Sequence, residues 1–377
     1  MNTTEHLREL GQSIWLDNIT RELLQSGTLE KYISTYGVTG LTSNPTIYEQ
    51  AIRDDAFYDK AIKKVSAKGL SSTDIFFELA VDDLTIAADS FGQVHRDTTG
   101  LDGWVSLEVS PLLANNANET VREAVRLHQK AARNNLFIKI PGTPAGLIAI
   151  EEAIFQGVPV NVTLLFSRGQ YLKAASAYMR GIERRLEAGR DLKVTSVASL
   201  FVSRWDVAVN SKVEPKLHNK LGVAIAQRAN RAYQEVLSSL RWQRLANAGA
   251  RPQRLLWAST GSKDPALSDT YYIQELATPD TINTMPEKTL LAFADHGLIG
   301  HTMSADGDNA EEQVAMFRKA GIDIEVLAEQ LQSEGTAAFI QSWNALLDMI
   351  SSKCASNDDT VSEPASGRPT LHLKKAG

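Results

Sequence analysis

The chain has 377 residues, 43% hydrophobic and 22% charged, with 24 glycines and 12 prolines, a globular composition that excludes disordered, fibrous and collagen-like chains. Its length suits two or three domains of ~150 residues, or a single α/β barrel with insertions. The formal net charge of −6 argues against nucleic-acid and anionic-membrane partners, but leaves room for a small anion held by a few converging cations.

In chain order, short apolar runs rich in β-formers fall at 13–18 (SIWLDN), 38–44 (VTGLTSN), 104–109 (WVSLEV), 136–141 (LFIKIP), 158–166 (VPVNVTLLF), 194–202 (VTSVASLFV), 254–260 (RLLWAST) and 281–285 (TINTM). Helical patterns separate them. Strands alternating with helices imply right-handed βαβ units and a parallel sheet, and eight such units predict a closed (β/α)8 TIM barrel. At 119–135, Val121, Ala124, Val125, His128, Ala131 and Ala132 form one helical stripe, with His128 read as a hydrogen-bonded core histidine. Residues 168–189 and 216–246 read as long helices, the second started by Pro215. The second-to-third link carries helical patterns at 47–68 and 72–94. That link and the one between the sixth and seventh strands are expected to be helical insertions.

The start, MNTTEHLRELGQSIW, lacks the basic and then apolar pattern of a signal peptide, and no run approaches the ~18 apolar residues of a membrane span. One cysteine, Cys354, allows no intrachain disulfide, as expected of a cytoplasmic protein. Residues 1–350 are expected to form the catalytic barrel, and the Ser-, Asp-, Pro- and Gly-rich stretch 351–377 a flexible polar tail.

In a parallel barrel, alternate side chains point inward, and chemistry sits at the C-terminal strand ends. Lys139 lies between Ile138 and Ile140 and shares a face with Phe137. Burial favours the free amine of a lysine, and a free amine attacks carbonyls to form Schiff bases. The alternatives are an edge-strand lysine in solvent and a structural ion pair. Five other strands also offer polar groups near that end: Asp17; Thr42 and Asn44; Ser106 and Glu108; Asn161 and Thr163; Ser199, beside Phe201. Two carboxylates near a lysine can serve as separate acid–base groups if their surroundings set their pKa values apart. Arg204, Ser259 and Lys263 form a candidate phosphate site; otherwise Arg204 is a surface helix residue. No glycine-rich phosphate loop, nucleophile elbow or zinc-type histidine spacing is found, so no cofactor and no metal is expected.

Taken together, SIWLDN, GLTSNPTIY, GWVSLEVSP, NLFIKIPGT, VNVTLLFS, SVASLFVSRWD, WASTG and DTINTMPEKTLLAFADHG resemble the transaldolases, in order, over about 285 residues. The length and insertions resemble the larger bacterial members of this Schiff-base aldolase superfamily. The resemblance implies a transferase of the pentose phosphate pathway. It would move a dihydroxyacetone unit from sedoheptulose 7-phosphate or fructose 6-phosphate to glyceraldehyde 3-phosphate or erythrose 4-phosphate. It implies Lys139 as Schiff-base lysine, Glu108 as acid–base group working through a water, Thr163 as holder of that water, and Asp17 as base for carbon–carbon cleavage. Asn44, Asn161 and Ser199 would bind substrate hydroxyls, and Arg204 phosphate. Smaller members often have Ser-x-Arg after the seventh strand; here Ser259 carries over and Lys263 is the candidate second cation. Related fructose 6-phosphate aldolases typically carry glutamine and tyrosine where this chain has Glu108 and Phe201, which favours transfer over release. The expected partners are sugar phosphates, with a homodimer as the open alternative to a monomer.

Overall fold

A computed structural model describes residues 3–54 and 57–358. All eight expected strands form: β1 Ser13–Asp17, β2 Val38–Thr42, β3 Trp104–Glu108, β4 Leu136–Pro141, β5 Val160–Leu165, β6 Ser196–Phe201, β7 Gln253–Ala258 and β8 Ile282–Met285. They pair in parallel and in chain order, and β8 closes onto β1. The protein is a (β/α)8 barrel.

Pleat parity sorts each strand's side chains between two cores. Inside the barrel, Trp15, Trp104, Phe137, Val197, Leu256 and Ile282 belong to one apolar cluster, with Trp104 stacked on Phe137 at 4.1 Å. Their neighbours in sequence, such as Leu16, Val105, Ile138 and Leu255, belong to the cluster between strands and helices. Trp15 fits because β2 offers Gly40 opposite it: a Cβ there would stand 2.5 Å from the indole. The N-terminal end of the barrel is plugged by a buried polar knot. Ser13 Oγ donates to Asp102 (2.5 Å), as does Trp15 Nε1 (3.1 Å), and Arg254 Nη2 donates to Ser13 Oγ (2.7 Å). A cavity opens at the opposite, C-terminal end of the strands.

The insertion between β2 and β3 holds helices Pro45–Asp54, Phe57–Ser66, Ser72–Ser90 and Gly92–Asp97. The expected single helix over 216–246 is instead broken. Pro215 opens a short 3-10 turn, the helix proper is Leu221–Ser238, and Ser239 caps a new helix, Leu240–Asn247, by accepting from Trp242 N. His128 is only half-buried, and its buried Nε2 has no hydrogen-bond partner among the described residues, contrary to the core reading. Among the described residues, no helix is long and apolar enough to cross a membrane.

After β8 the chain adds helices Glu287–His296, Ala310–Lys319 and Ile324–Asp358. The last crosses the barrel mouth and runs past the expected boundary at 351. It does so because Ile350 is fully buried, Cys354 packs on the same cluster, and Lys353 Nζ donates to Ile52 O (2.8 Å) and Asp59 (2.5 Å). The rest of the expected tail, 359–377, lies outside the described residues.

Candidate active site

The C-terminal ends of the strands enclose a cavity of about 210 Å³. Of the residues singled out in the sequence, Asp17, Thr42, Asn44, Lys139, Thr163, Ser199, Phe201, Arg204, Ser259 and Lys263 line it. Register explains the convergence: Glu108 pairs with Lys139 across β3 and β4, Lys139 with Asn161 across β4 and β5, and Asp17 with Thr42 across β1 and β2.

Lys139 is only 4% exposed, so it is not an edge lysine in solvent. Its Nζ donates to Ser43 O at 3.0 Å and lies 3.2 Å from Glu108 Oε2. Glu108 stands behind the lysine, away from the cavity lining. Burial raises its pKa above the ordinary glutamate value, against the pull of the lysine charge. Asp17 accepts from Thr42 Oγ1 at 2.7 Å, and Thr42 shares a 2.8 Å hydrogen bond with Thr284. Desolvation also raises Asp17, opposed first by Lys139, then by the Thr42 hydrogen bond, Lys263 and Arg204. The buried Lys139 amine thus lies between two carboxyl groups, Asp17 in the cavity wall and Glu108 behind it, that bind protons more tightly than carboxylates in water.

Thr163 stands where β5 departs from regular pairing. Val162 pairs with Ala198, but Leu165 pairs with Leu200, so β5 carries one extra residue. Leu164 absorbs it at φ +57°, a left-handed conformation rare for leucine. The bulge puts Leu164 in the interior cluster beside Thr163. Thr163 Oγ1 is buried and makes no hydrogen bond among the described residues. Asn161 does not line the cavity. It lies fully buried below, donating to Ser106 Oγ (3.1 Å) and accepting from Ser199 Oγ (2.7 Å). Asn44 uses its Oδ1 to cap helix Pro45–Asp54 through Ile47 N (3.1 Å).

Two cations mark the rim. Arg204 lies 5.1 Å from the centroid of the Phe201 ring and makes no side-chain hydrogen bond among the described residues, which leaves its fork of donors open. Burial pushes its pKa down, opposed by Asp17 and Glu334. Ser259, at φ +55°, shares a 2.9 Å hydrogen bond with Ser203 at the start of the Arg204 helix. Lys263 is exposed on the loop after β7 and reaches the same cavity. Thr284 and Phe339 are among the lining residues that sequence reasoning did not single out. Thr284 could have been found by extending the parity argument to β8. Phe339 comes from the last helix and belongs to no strand-end motif.

An amine buried in the mouth of a (β/α)8 barrel, touching a carboxylate and facing a second, fits the Schiff-base class of aldolases and transferases. The chain belongs to the transaldolase/fructose-6-phosphate aldolase family, whose sequence profile matches residues 14–350. It is 42% identical over 362 residues to a transaldolase of Thermobifida fusca, covering 94% of this chain and 98% of that protein. It is 43% identical over 353 residues to one of Parafrankia sp. (91% and 96%) and 38% identical over 372 residues to transaldolase 2 of a Nostoc species (94% and 98%).

Proposed function

We propose that the chain is a transaldolase that carries a dihydroxyacetone unit on Lys139 from sedoheptulose 7-phosphate or fructose 6-phosphate to glyceraldehyde 3-phosphate or erythrose 4-phosphate. The observation that carries this reading is the contact of Glu108 with the Lys139 amine, which lines a cavity together with Asp17 and Arg204.

The steps follow from the groups present. Nζ adds to the ketose carbonyl, and the carbinolamine loses water with Glu108 moving the protons, through a water that Thr163 Oγ1 can hold. The resulting iminium draws electrons from the adjacent carbon–carbon bond. Asp17 takes the proton of the hydroxyl beyond that bond, the bond breaks, and an aldehyde leaves. An enamine remains on Lys139 and attacks the carbonyl of the acceptor aldehyde. Asp17 returns its proton to the new hydroxyl, and hydrolysis of the iminium frees the product. Asn44 and Ser199 are within the cavity to meet substrate hydroxyls, with Asn161 holding Ser199 from below. Arg204, with Ser259 and Lys263, would take the phosphate. Glu108 and Phe201 support transfer over simple release. The single cysteine supports a cytoplasmic setting.

The test is borohydride reduction in the presence of fructose 6-phosphate, followed by peptide mapping. A covalent three-carbon adduct on Lys139 is expected; an unmodified Lys139 would overturn the reading. Rapid release of dihydroxyacetone without acceptor would instead identify an aldolase.

A further inference from the structure

We propose that Phe339 decides the fate of the three-carbon enamine on Lys139, keeping water from it so that the unit is passed to an aldehyde rather than released. The inference rests on the Schiff-base transfer reading above.

Phe339 is 4% exposed, lines the cavity, and holds its ring centroid 5.7 Å from Lys139 Nζ. Gln332, Gly335, Phe339 and Trp343 follow one another at spacings of three or four and so share one face of helix Ile324–Asp358. The other members of the row anchor the helix that carries the ring. Gln332 Nε2 donates to Gly142 O (3.2 Å) and to Leu164 O (2.9 Å), the carbonyl at the β5 bulge. Gly335 lets the helix come down on the site, since a Cβ there would stand 2.9 Å from Leu164 Cδ2 and 3.1 Å from Arg204 Nη1. Beyond the ring, Trp343 packs edge-on against Phe76 (5.0 Å) and tilted against Phe77 (5.6 Å), both on helix Ser72–Ser90 of the β2–β3 insertion. The helix that carries the ring is thus anchored on both sides of it.

The chemistry needs such a wall. If water protonates the enamine carbon, the iminium of dihydroxyacetone forms, a second water adds to it, and the carbon–nitrogen bond breaks. Free dihydroxyacetone leaves, and Lys139 returns as an amine. Transfer requires that the same carbon wait for an aldehyde. Much of the lining is polar, including Asp17, Thr42, Asn44, Thr163 and Ser199, and polar walls hold water. An ordered water needs two to four polar partners, and a phenyl ring supplies none.

The experiment compares the wild type with Phe339→Ala, Phe339→Leu and Gly335→Ala. It measures dihydroxyacetone released from fructose 6-phosphate relative to unit transferred to an acceptor, and traps the Lys139 adduct with borohydride in each. Phe339→Ala is expected to raise the release-to-transfer ratio by about tenfold or more while the adduct still forms. Phe339→Leu, which keeps the apolar bulk, is expected to stay within about threefold of wild type. Gly335→Ala, whose methyl group pushes the helix away from Arg204, is expected to raise release too, and it carries the test if Phe339→Ala does not fold. An unchanged ratio with the adduct intact overturns the role of Phe339. Absence of the adduct in the wild type overturns the Schiff-base reading, and this inference with it.

Discussion

Glu108 and Lys139 stand side by side on adjacent strands, 3.2 Å apart and both nearly sealed from solvent. Such a pair is an uncertain source of stability, because desolvation offsets most of its attraction. The pair is better understood as a proton couple. Lys139→Ala is therefore expected to keep the fold, since burial already favours the protonated form of Glu108 once the amine is gone. It is expected to reduce kcat by more than about a hundredfold, as removal of a covalent nucleophile does. Circular dichroism and steady-state kinetics check both; turnover above a hundredth of wild type would contradict the nucleophile role.

Glu108→Gln tests the same couple through pH. Burial raises both Glu108 and Asp17 above ordinary carboxylate values. Activity should therefore fall on acidification above the ~4 of an unperturbed carboxylate, as each group takes up a proton and can no longer act as a base. With two such groups, the acid limb of log kcat against pH should approach a slope of two. Glu108→Gln should lower kcat by about 10²–10⁴ and leave one ionisation, reducing the slope towards one. An unaltered limb in the variant would remove Glu108 from the proton chemistry.

Arg204→Ala separates phosphate binding from catalysis. The guanidinium sits at the rim, half-buried, with its donors open. The substitution is expected to raise KM for phosphorylated donors by about tenfold or more, with little change for unphosphorylated dihydroxyacetone donors. Equal effects on the two classes would argue that Arg204 shapes the site instead of binding phosphate.

The barrel and most of its mouth were legible because both rest on period-two patterns. A polar residue on the inward parity near a strand end, such as Asp17, Lys139 or Thr163, stands out against apolar neighbours. The parity argument alone does not show that Asn161 serves from the layer below, through Ser106 and Ser199, because depth along a strand depends on the stagger between strands. The last helix was illegible for a different reason. Leu327, Leu331 and Phe339 pack into the cluster at the barrel mouth, while Trp343, Leu346 and Ile350 pack into the outer one. A helix that serves two surfaces has no single apolar stripe. The composition shift after 350 concealed that the helix continues through Lys353. The break at Ser239 is hidden because no glycine or proline interrupts 223–247 and only the capping serine marks the new start.

Asp83 links stability to pH away from the site. It is 1% exposed, held by Arg21 Nε (2.8 Å) and Tyr58 Oη (2.8 Å), and desolvation pushes its pKa up to about 6 despite the arginine. Because the folded value exceeds the unfolded one of 3.8, the folded state binds the extra proton between those values. Its contribution to stability is full below pH 4 and is lost as pH rises through about 6. The gap corresponds to about 3 kcal/mol. Urea denaturation across this range should show Asp83→Asn losing less stability than wild type as pH rises; parallel curves would refute the linkage.

Gly40→Ala probes the packing that lets Trp15 fill the barrel floor. The new Cβ would lie 2.5 Å from Cε2 and 2.6 Å from Nε1 of the indole. Trp15 is held in place: it is fully buried, its Nε1 donates to Asp102 Oδ1 (3.1 Å), and its ring centroid lies 6.2 Å from that of Phe137. Backbone conformation is not the obstacle, because Gly40 does not have a positive φ. The cost is therefore steric, and overpacking of this kind is expected to destabilise by about 1–3 kcal/mol. Gly300→Ala is the control, since nothing lies within 4 Å of its added Cβ, and it should stay within about 0.5 kcal/mol of wild type. Trp15→Phe in the Gly40→Ala background should recover part of the loss, because a smaller ring relieves the contact that defines it. If the two alanine variants melt alike, the indole does not confine β2, and the floor of the barrel is looser than its geometry implies.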